Sequence, residues 1–257
     1  MNVELLRDAS RENGWWLLVG GSEQSYVDTD DPLHLEFEYV QFAAHILDSI
    51  FVDNRPLRVL HLGGGLCTLP RWVAARHPGS HQRVAERSAE IAGLAASLGM
   101  PPGVTVVIDD ALVVTRQARP ASLDLVISDV YDGPETVTRM FTVEAQRTVR
   151  QVLKPEGVFV ANLSDASPFG LSRVVAATVR EVFGSVAMLS EPPVLRGRRS
   201  GNLVLAATDG KIPLAELGRR AAGGLTRARL IAGDDLTEFI GDAAAAVDEA
   251  ELPVAGD

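Results

Sequence analysis

At 257 residues, 46% of them apolar and 23% charged, the chain is long enough to bury a sizeable α/β core and has an ordinary globular composition. Its formal charge of −10 leaves no surplus of lysine or arginine to displace counterions from a phosphate backbone, so nucleic acid is not an expected partner. The single cysteine, Cys67, excludes an intrachain disulfide and a cysteine-built zinc site, and the expected setting is reduced and cytoplasmic.

Residues 1–50 hold an apolar run, WWLLVGG, then a polar turn-rich stretch, SEQSYVDTDDP, then an amphipathic helix from about Leu33 to Ile50. No run approaches the 18 or so apolar residues of a membrane span, and the charges scattered through the first dozen positions do not suit a signal peptide. No membrane partner is expected. From residue 58 onward short runs of valine, isoleucine and leucine alternate with stretches of helical period. The predicted strands are RVLHLG (58–63), QRVAE (82–86), VTVVI (104–108), LDLVISD (123–129), VFVANL (158–163), VAMLS (186–190) and NLVLAAT (202–208). The clearest predicted helices are 66–77, 88–98, 135–152 and 168–183.

Continuous apolar strands imply burial on both faces, and their alternation with helices implies parallel crossovers. KPEG at 154–157 reads as a helix stop and a turn. The last two strands are joined by EPPVLRGRRSG rather than a long helix, so they can pair antiparallel. The expected fold is α/β, a doubly wound, mostly parallel sheet with its last strand antiparallel, in the manner of class I S-adenosylmethionine-dependent methyltransferases. The expected organisation is an N-terminal segment over 1–50, a doubly wound α/β domain over 51–212 and an alanine-rich helical extension over 213–257 that frays at PVAGD.

Four strand ends carry candidate chemistry. HLGGGL at 61–66 puts Gly63, Gly64 and Gly65 where a backbone can turn tightly and approach a ligand at the carboxyl edge of the sheet. Glu86 ends the next strand at about the 20-residue offset where an acid hydrogen-bonds ribose hydroxyls. VVIDDAL at 106–112 follows the third strand with two acids; one of Asp109 and Asp110 is a helix cap, and Asp110 is favoured for the ligand. LVISDVYDG at 125–133 ends in Asp129, Tyr131 and Asp132. In the expected strand order Asp129 emerges beside the glycine loop, while Asp132 is divided between facing the same crevice and capping a helix that starts near Glu135.

QSYVD (24–28), the GGG loop, Glu86, Asp110 with Ala111, and the D-x-x-D of Asp129 and Asp132 together resemble the spermidine synthase family of polyamine aminopropyltransferases. The chain is most similar to the family's short actinobacterial members, which carry a DVFDG-type motif and a closing segment like LRGRRSGN at 195–202. The resemblance implies a sulfonium nucleoside as co-substrate, S-adenosylmethionine or its decarboxylated form, an amine-type small-molecule acceptor, no metal, and a homodimer. It implies that Gln24 touches the nucleoside, that Gly63, Gly64 and Gly65 lie beneath it, that Glu86 holds the ribose, and that Asp110 with Ala111 flanks the adenine. Asp129 is the implied catalytic base, with Tyr131 and Asp132 beside it.

The chain also departs from the family. GGGLCT stands in place of GGGDGG, so Leu66 occupies the position of the aspartate that would hold the amine of a transferred aminopropyl group. The N-terminal hairpin domain is cut down, and VANLSD lacks the glutamine typical after the fifth strand. Three functional readings follow: aminopropyl transfer, methyl transfer to a small molecule, and a catalytically degenerate protein that keeps the nucleoside pocket for binding or assembly. His61 and Cys67 read as packed core residues. Arg196, Arg198 and Arg199 read as a solvated turn or an anchor for an acidic group.

Overall fold

The computed structural model of the chain describes residues 2–132, 135–136, 138–248 and 252–253. Three strands, β1 (Val3–Arg7), β2 (Gly14–Val19) and β3 (Ser22–Asp28), form an antiparallel sheet at the N-terminus. SEQSYVD is therefore a strand rather than a turn-rich stretch. Its first residues are polar because they are open to solvent, whereas Ser25, Tyr26, Val27 and Asp28 are buried. Helix α1 spans Glu38–Ile50 and begins later than the sequence suggests, after an irregular stretch in which Leu35 alone is buried.

The parallel part of the molecule follows as β4 (Arg58–Leu62), α2 (Thr68–Arg76), β5 (His81–Glu86), α3 (Ala89–Ser97), β6 (Val104–Ile108), α4 (Ala111–Gln117) and β7 (Leu123–Ser128). A small antiparallel ribbon, β8 (Tyr131–Asp132) with β9 (Glu135–Thr136), and a 3-10 turn at Thr138–Phe141 come next. They fill the first part of the helix expected over 135–152. Helix α5 itself runs only over Val143–Val152, started by Thr142, whose hydroxyl accepts from the Ala145 amide at 3.2 Å.

Strand β10 (Leu153–Asp165) contains KPEG as an irregular entry, and its register against β7 shifts between Leu153 and Val158. The chain closes with α6 (Gly170–Val182), β11 (Ser185–Ser190), α7 (Pro192–Leu195), β12 (Gly201–Thr208), α8 (Leu214–Gly223), β13 (Arg229–Ala232) and α9 (Asp234–Ile240). The region expected to be purely helical thus contributes a strand, RLIA, which is short and covers the edge of β11. Residues 254–257, most of the closing PVAGD, lie outside the described residues.

The main sheet has eight strands in the order β13-β11-β12-β10-β7-β4-β5-β6. The five from β10 to β6 are mutually parallel, and β12 runs antiparallel between β10 and β11. This is the class I methyltransferase-like arrangement, with one extra edge strand. Side chains alternate across it: Leu60, Leu62, Val126 and Phe159 face the layer of α5 and α6, while Val59, Leu125, Ile127 and Val158 face that of α1 and α2. Fully buried runs such as the LVIS of β7 need no polar face, because helices cover both sides. From β4 the chain winds outward through β5 and β6 and returns to β7 on the other side, so the crevice opens between β4 and β7. Among the described residues no helix is long and apolar enough to cross a membrane.

Candidate active site

A cavity of about 560 Å³ lies over the carboxyl ends of β4, β5, β6, β7 and β10, walled on one side by β3 and the start of α1. Its lining includes Gln24, Gly63, Gly64, Gly65, Glu86, Asp109, Asp110, Ala111, Asp129 and Tyr131. The fold thus gathers residues from five separate sequence motifs into one space. The side chain of Asp132 lies outside the described residues.

The glycine loop is shaped by close approach. Gly63 has φ +87°, and a Cβ there would run into the backbone carbonyl oxygen of Asp129. Gly65 has φ +49°, and its Cβ would fall 2.9 Å from Ser25 Oγ. The Gly64 amide donates to Glu86 Oε2 at 3.1 Å, and Glu86 Oε1 accepts from the Ser88 amide at 2.8 Å. Each carboxylate oxygen keeps a lone pair for a hydroxyl donor in the cavity.

At the next strand end Asp110, not Asp109, caps α4. Its Oδ1 accepts from the amides of Leu112 at 3.0 Å and Val113 at 3.3 Å, and its Oδ2 pairs with Arg139. Asp109 Oδ1 accepts from the Asp110 amide at 2.8 Å, and both acids line the cavity. Asp110 therefore combines the cap and the cavity position that the sequence divides between two residues.

Asp129 sits where β7 leaves the sheet. Its amide donates to the carbonyl of Leu62 at 2.8 Å, its Oδ1 accepts from Asn162 Nδ2 at 3.0 Å, and it accepts from the Tyr39 hydroxyl. Burial pushes its carboxyl above the usual range, opposed by the hydrogen bonds from Asn162 and Tyr39. Burial, reinforced by the charge of Asp129, holds the Tyr39 phenol well above its ordinary value. Tyr39 is therefore a fixed donor and Asp129 a carboxylate with heightened proton affinity.

Leu66 corrects the sequence expectation. It is fully buried against Leu17 and Val27 of the N-terminal sheet and is not part of the cavity lining. Its backbone, by contrast, is tied in: the amide donates to Ser25 Oγ at 3.1 Å, while Thr68 Oγ1 donates to the Tyr26 carbonyl at 2.6 Å. His61 is a satisfied core residue. Gln82 Nε2 donates to the Pro70 carbonyl at 2.9 Å, so Gln82 Oε1 accepts from His61 Nε2 at 2.8 Å, and burial pushes the imidazole down to about 4. Cys67 is buried, with its thiol pushed up to about 12, and is no nucleophile at neutral pH. Arg196, Arg198 and Arg199 are exposed after α7, outside the cavity lining, with Arg199 paired to Glu191.

Sequence reasoning missed Tyr39, Asn162, Ser25 and Thr68. The two hydroxyl residues belong to a contact between β3 and α2 that no local pattern announces. Asn162 could have been flagged as a polar residue ending the apolar run VFVAN. Among the described residues no group of three or more metal-ligating side chains converges.

Comparison with known proteins finds relatives of one kind. The crystal structure of a probable spermidine synthase from Corynebacterium glutamicum superposes with a TM-score of 0.89 at 32% identity, covering 98% of this chain and 95% of that one. A polyamine aminopropyltransferase from Halorhodospira halophila is 34% identical over 133 residues, 49% of this chain and 47% of its own length. Another from Vibrio vulnificus is 26% identical over 193 residues, 73% of this chain and 61% of its own. The chain therefore matches less than two thirds of either curated relative. No family model matches it.

Proposed function

The chain belongs to the spermidine synthase-like family, and from that premise we propose that it transfers an aminopropyl or methyl group from S-adenosylmethionine or its decarboxylated form to an amine. The observation that carries this reading is the Asp129 carboxylate, held by Asn162 and Tyr39 at the mouth of the β4–β7 crevice, one backbone contact from the glycine loop.

The residues present suit such a donor. Glu86 offers acceptor lone pairs for a ribose diol, Gly63 to Gly65 let the backbone approach closely, and Asp110 with Ala111 and Gln24 border the remaining cavity wall. The bound donor supplies a carbon made electrophilic by the adjoining sulfonium. An alkylamine with a pKa of about 10 is mostly protonated at neutral pH, so it must be held neutral and in line. In this reading Asp129 accepts an N–H of the neutral amine, whose lone pair forms the N–C bond as the C–S bond breaks. The bonding pair leaves with sulfur as a neutral thioether, and the newly cationic nitrogen gives one proton to Asp129. Orientation in an enclosed cleft supplies much of the rate, on the order of 7 kcal/mol or more in favourable cases.

Methyl transfer is favoured as the second reading by Leu66. With that side chain buried beneath the N-terminal sheet, this loop position offers no carboxylate to the amine of an aminopropyl donor. Calorimetry with S-adenosylmethionine, its decarboxylated form and methylthioadenosine separates the donors, and binding of none of them overturns the proposal. Binding without transfer to any amine leaves the degenerate, nucleoside-binding reading instead.

A further inference from the structure

Helix α1 begins without a local cap. Phe37 stands at its N-cap position and offers no side-chain acceptor to the first-turn amides, so the turn that carries Tyr39 must be held from elsewhere. One such tie spans 164 positions of sequence: Asn202 Nδ2 donates to Glu38 Oε1 at 2.9 Å. Asn202 is itself firmly seated. It opposes Ser164 of β10 in the ladder, and its carbonyl accepts from Ser190 Oγ of β11 at 2.7 Å. The turn leading into it is closed by Arg199, which donates to the Ser200 carbonyl at 3.0 Å and pairs with Glu191. Side chains alternate along β12, so Asn202 shares its face with Val204 and Ala206, which pack in the layer of α1.

Successive helical residues point about 100° apart, so Glu38 and Tyr39 reach different strands. Glu38 goes to β12, and Tyr39 reaches Asp129 where β7 leaves the sheet, with β10 lying between the two strands. The first turn of α1 therefore bridges about 10 Å of sheet, two strand spacings. Glu38 is not part of the cavity lining, so what it does for the site it does through its neighbour.

We propose that Glu38 and Asn202 are a positioning pair for transfer: by tying the first turn of α1 to β12 they aim the Tyr39 hydroxyl at Asp129. The proposal rests on the transfer reading above. Neither residue supplies a group to the reacting atoms. A Tyr39 hydroxyl that swings free leaves the charged form of Asp129 one hydrogen bond fewer, so the carboxyl keeps its proton to higher pH and is less well oriented for the amine. The ionisable groups acting on Tyr39 besides Asp129 are Tyr131 and Glu38 itself, and Asn162, which also bonds Asp129, is neutral.

The test follows transfer from each donor to a panel of alkyl mono- and diamines by the full chain, with pH profiles, for Asn202→Ala, Tyr39→Phe and the double variant. Asn202→Ala is expected to lower kcat about 10-fold, to move the acid limb of kcat/KM to higher pH and to leave methylthioadenosine affinity within about threefold of native. Added to Tyr39→Phe it should cost less than about twofold more, because the hydroxyl it aims is already gone. Glu38→Gln keeps a carbonyl acceptor for Asn202 and is expected to retain kcat within about threefold. Glu38→Ala should repeat the Asn202→Ala losses, and it reads the same tie from the helix side should that variant not fold. Losses that add fully in the double variant, an unmoved acid limb, or an equal fall in methylthioadenosine affinity overturn the proposal and leave the transfer reading standing. No transfer by the native protein from either donor to any amine of the panel overturns both.

Discussion

The backbone of Asp129 and that of Gly63 interlock: the Asp129 carbonyl occupies the space a Cβ on Gly63 would need, and the Asp129 amide bonds the neighbouring Leu62 carbonyl at 2.8 Å. Gly63→Ala must therefore move the strand end that carries the carboxylate and also adopt φ +87° with a side chain. A loss of about 2–4 kcal/mol in urea unfolding, with loss of nucleoside binding, is expected. At Gly64 an added Cβ would meet first a Val84 methyl at 2.9 Å, at ordinary φ, so Gly64→Ala should be the milder variant. Equal losses at the two positions would contradict this account.

Asp129→Asn should abolish transfer while stabilising the fold. A carboxyl whose pKa is raised on folding contributes stability that is present below its unfolded pKa and lost as pH rises through its folded pKa. At neutral pH the native protein carries that burden and the asparagine variant does not. The variant is expected to gain about 1 kcal/mol at pH 7, with the gain shrinking toward pH 4. Thermal unfolding across that range checks it, and a variant less stable than the native protein at pH 7 would count against it. The acid limb of the native kcat/KM profile should lie above the ordinary aspartate value for the same reason.

Leu66→Asp, which restores the acid found in the family's loop, should not create an amine-binding site. The carboxylate would sit among Leu17 and Val27, and a destabilisation of about 3 kcal/mol or more is expected from burying it unpaired. Circular dichroism melts report the loss. A stable variant with improved use of the decarboxylated donor would show instead that the loop can turn this side chain into the cavity.

Glu86→Gln replaces an acceptor-only carboxylate, bonded through both oxygens to the amides of Gly64 and Ser88, by a group with one acceptor and one donor end. One of those amides would then face an NH2. Methylthioadenosine affinity should fall about 10- to 100-fold, measured by calorimetry, with little change in melting temperature.

The parallel sheet was legible in the sequence because strands buried on both faces read as unbroken apolar runs, as in LVIS before Asp129. The glycine loop and Glu86 were legible because their spacing reflects one crossover. The N-terminal sheet was not, since the exposed half of β3 reads SEQ and mimics a turn. RLIA was too short to stand out within an alanine-rich segment. Tyr39 and Asn162 were hidden for a different reason: each reaches Asp129 across the tertiary structure, from α1 and from β10. Leu66 misled because a substitution identifies a residue type and not the direction in which its side chain packs.

Ser25 and Thr68 join the small N-terminal sheet to the glycine loop through hydroxyl contacts, at the Leu66 amide and the Tyr26 carbonyl. Through these contacts the loop and the sheet support one another. Whatever occupancy of the cleft contributes to holding the loop must, by reciprocity, tighten residues 3–28 against local opening, and anything that loosens that sheet must weaken binding by the same factor. The N-terminal strands thereby act as an adjustable support for the site, able to tune its affinity without lending it a catalytic group.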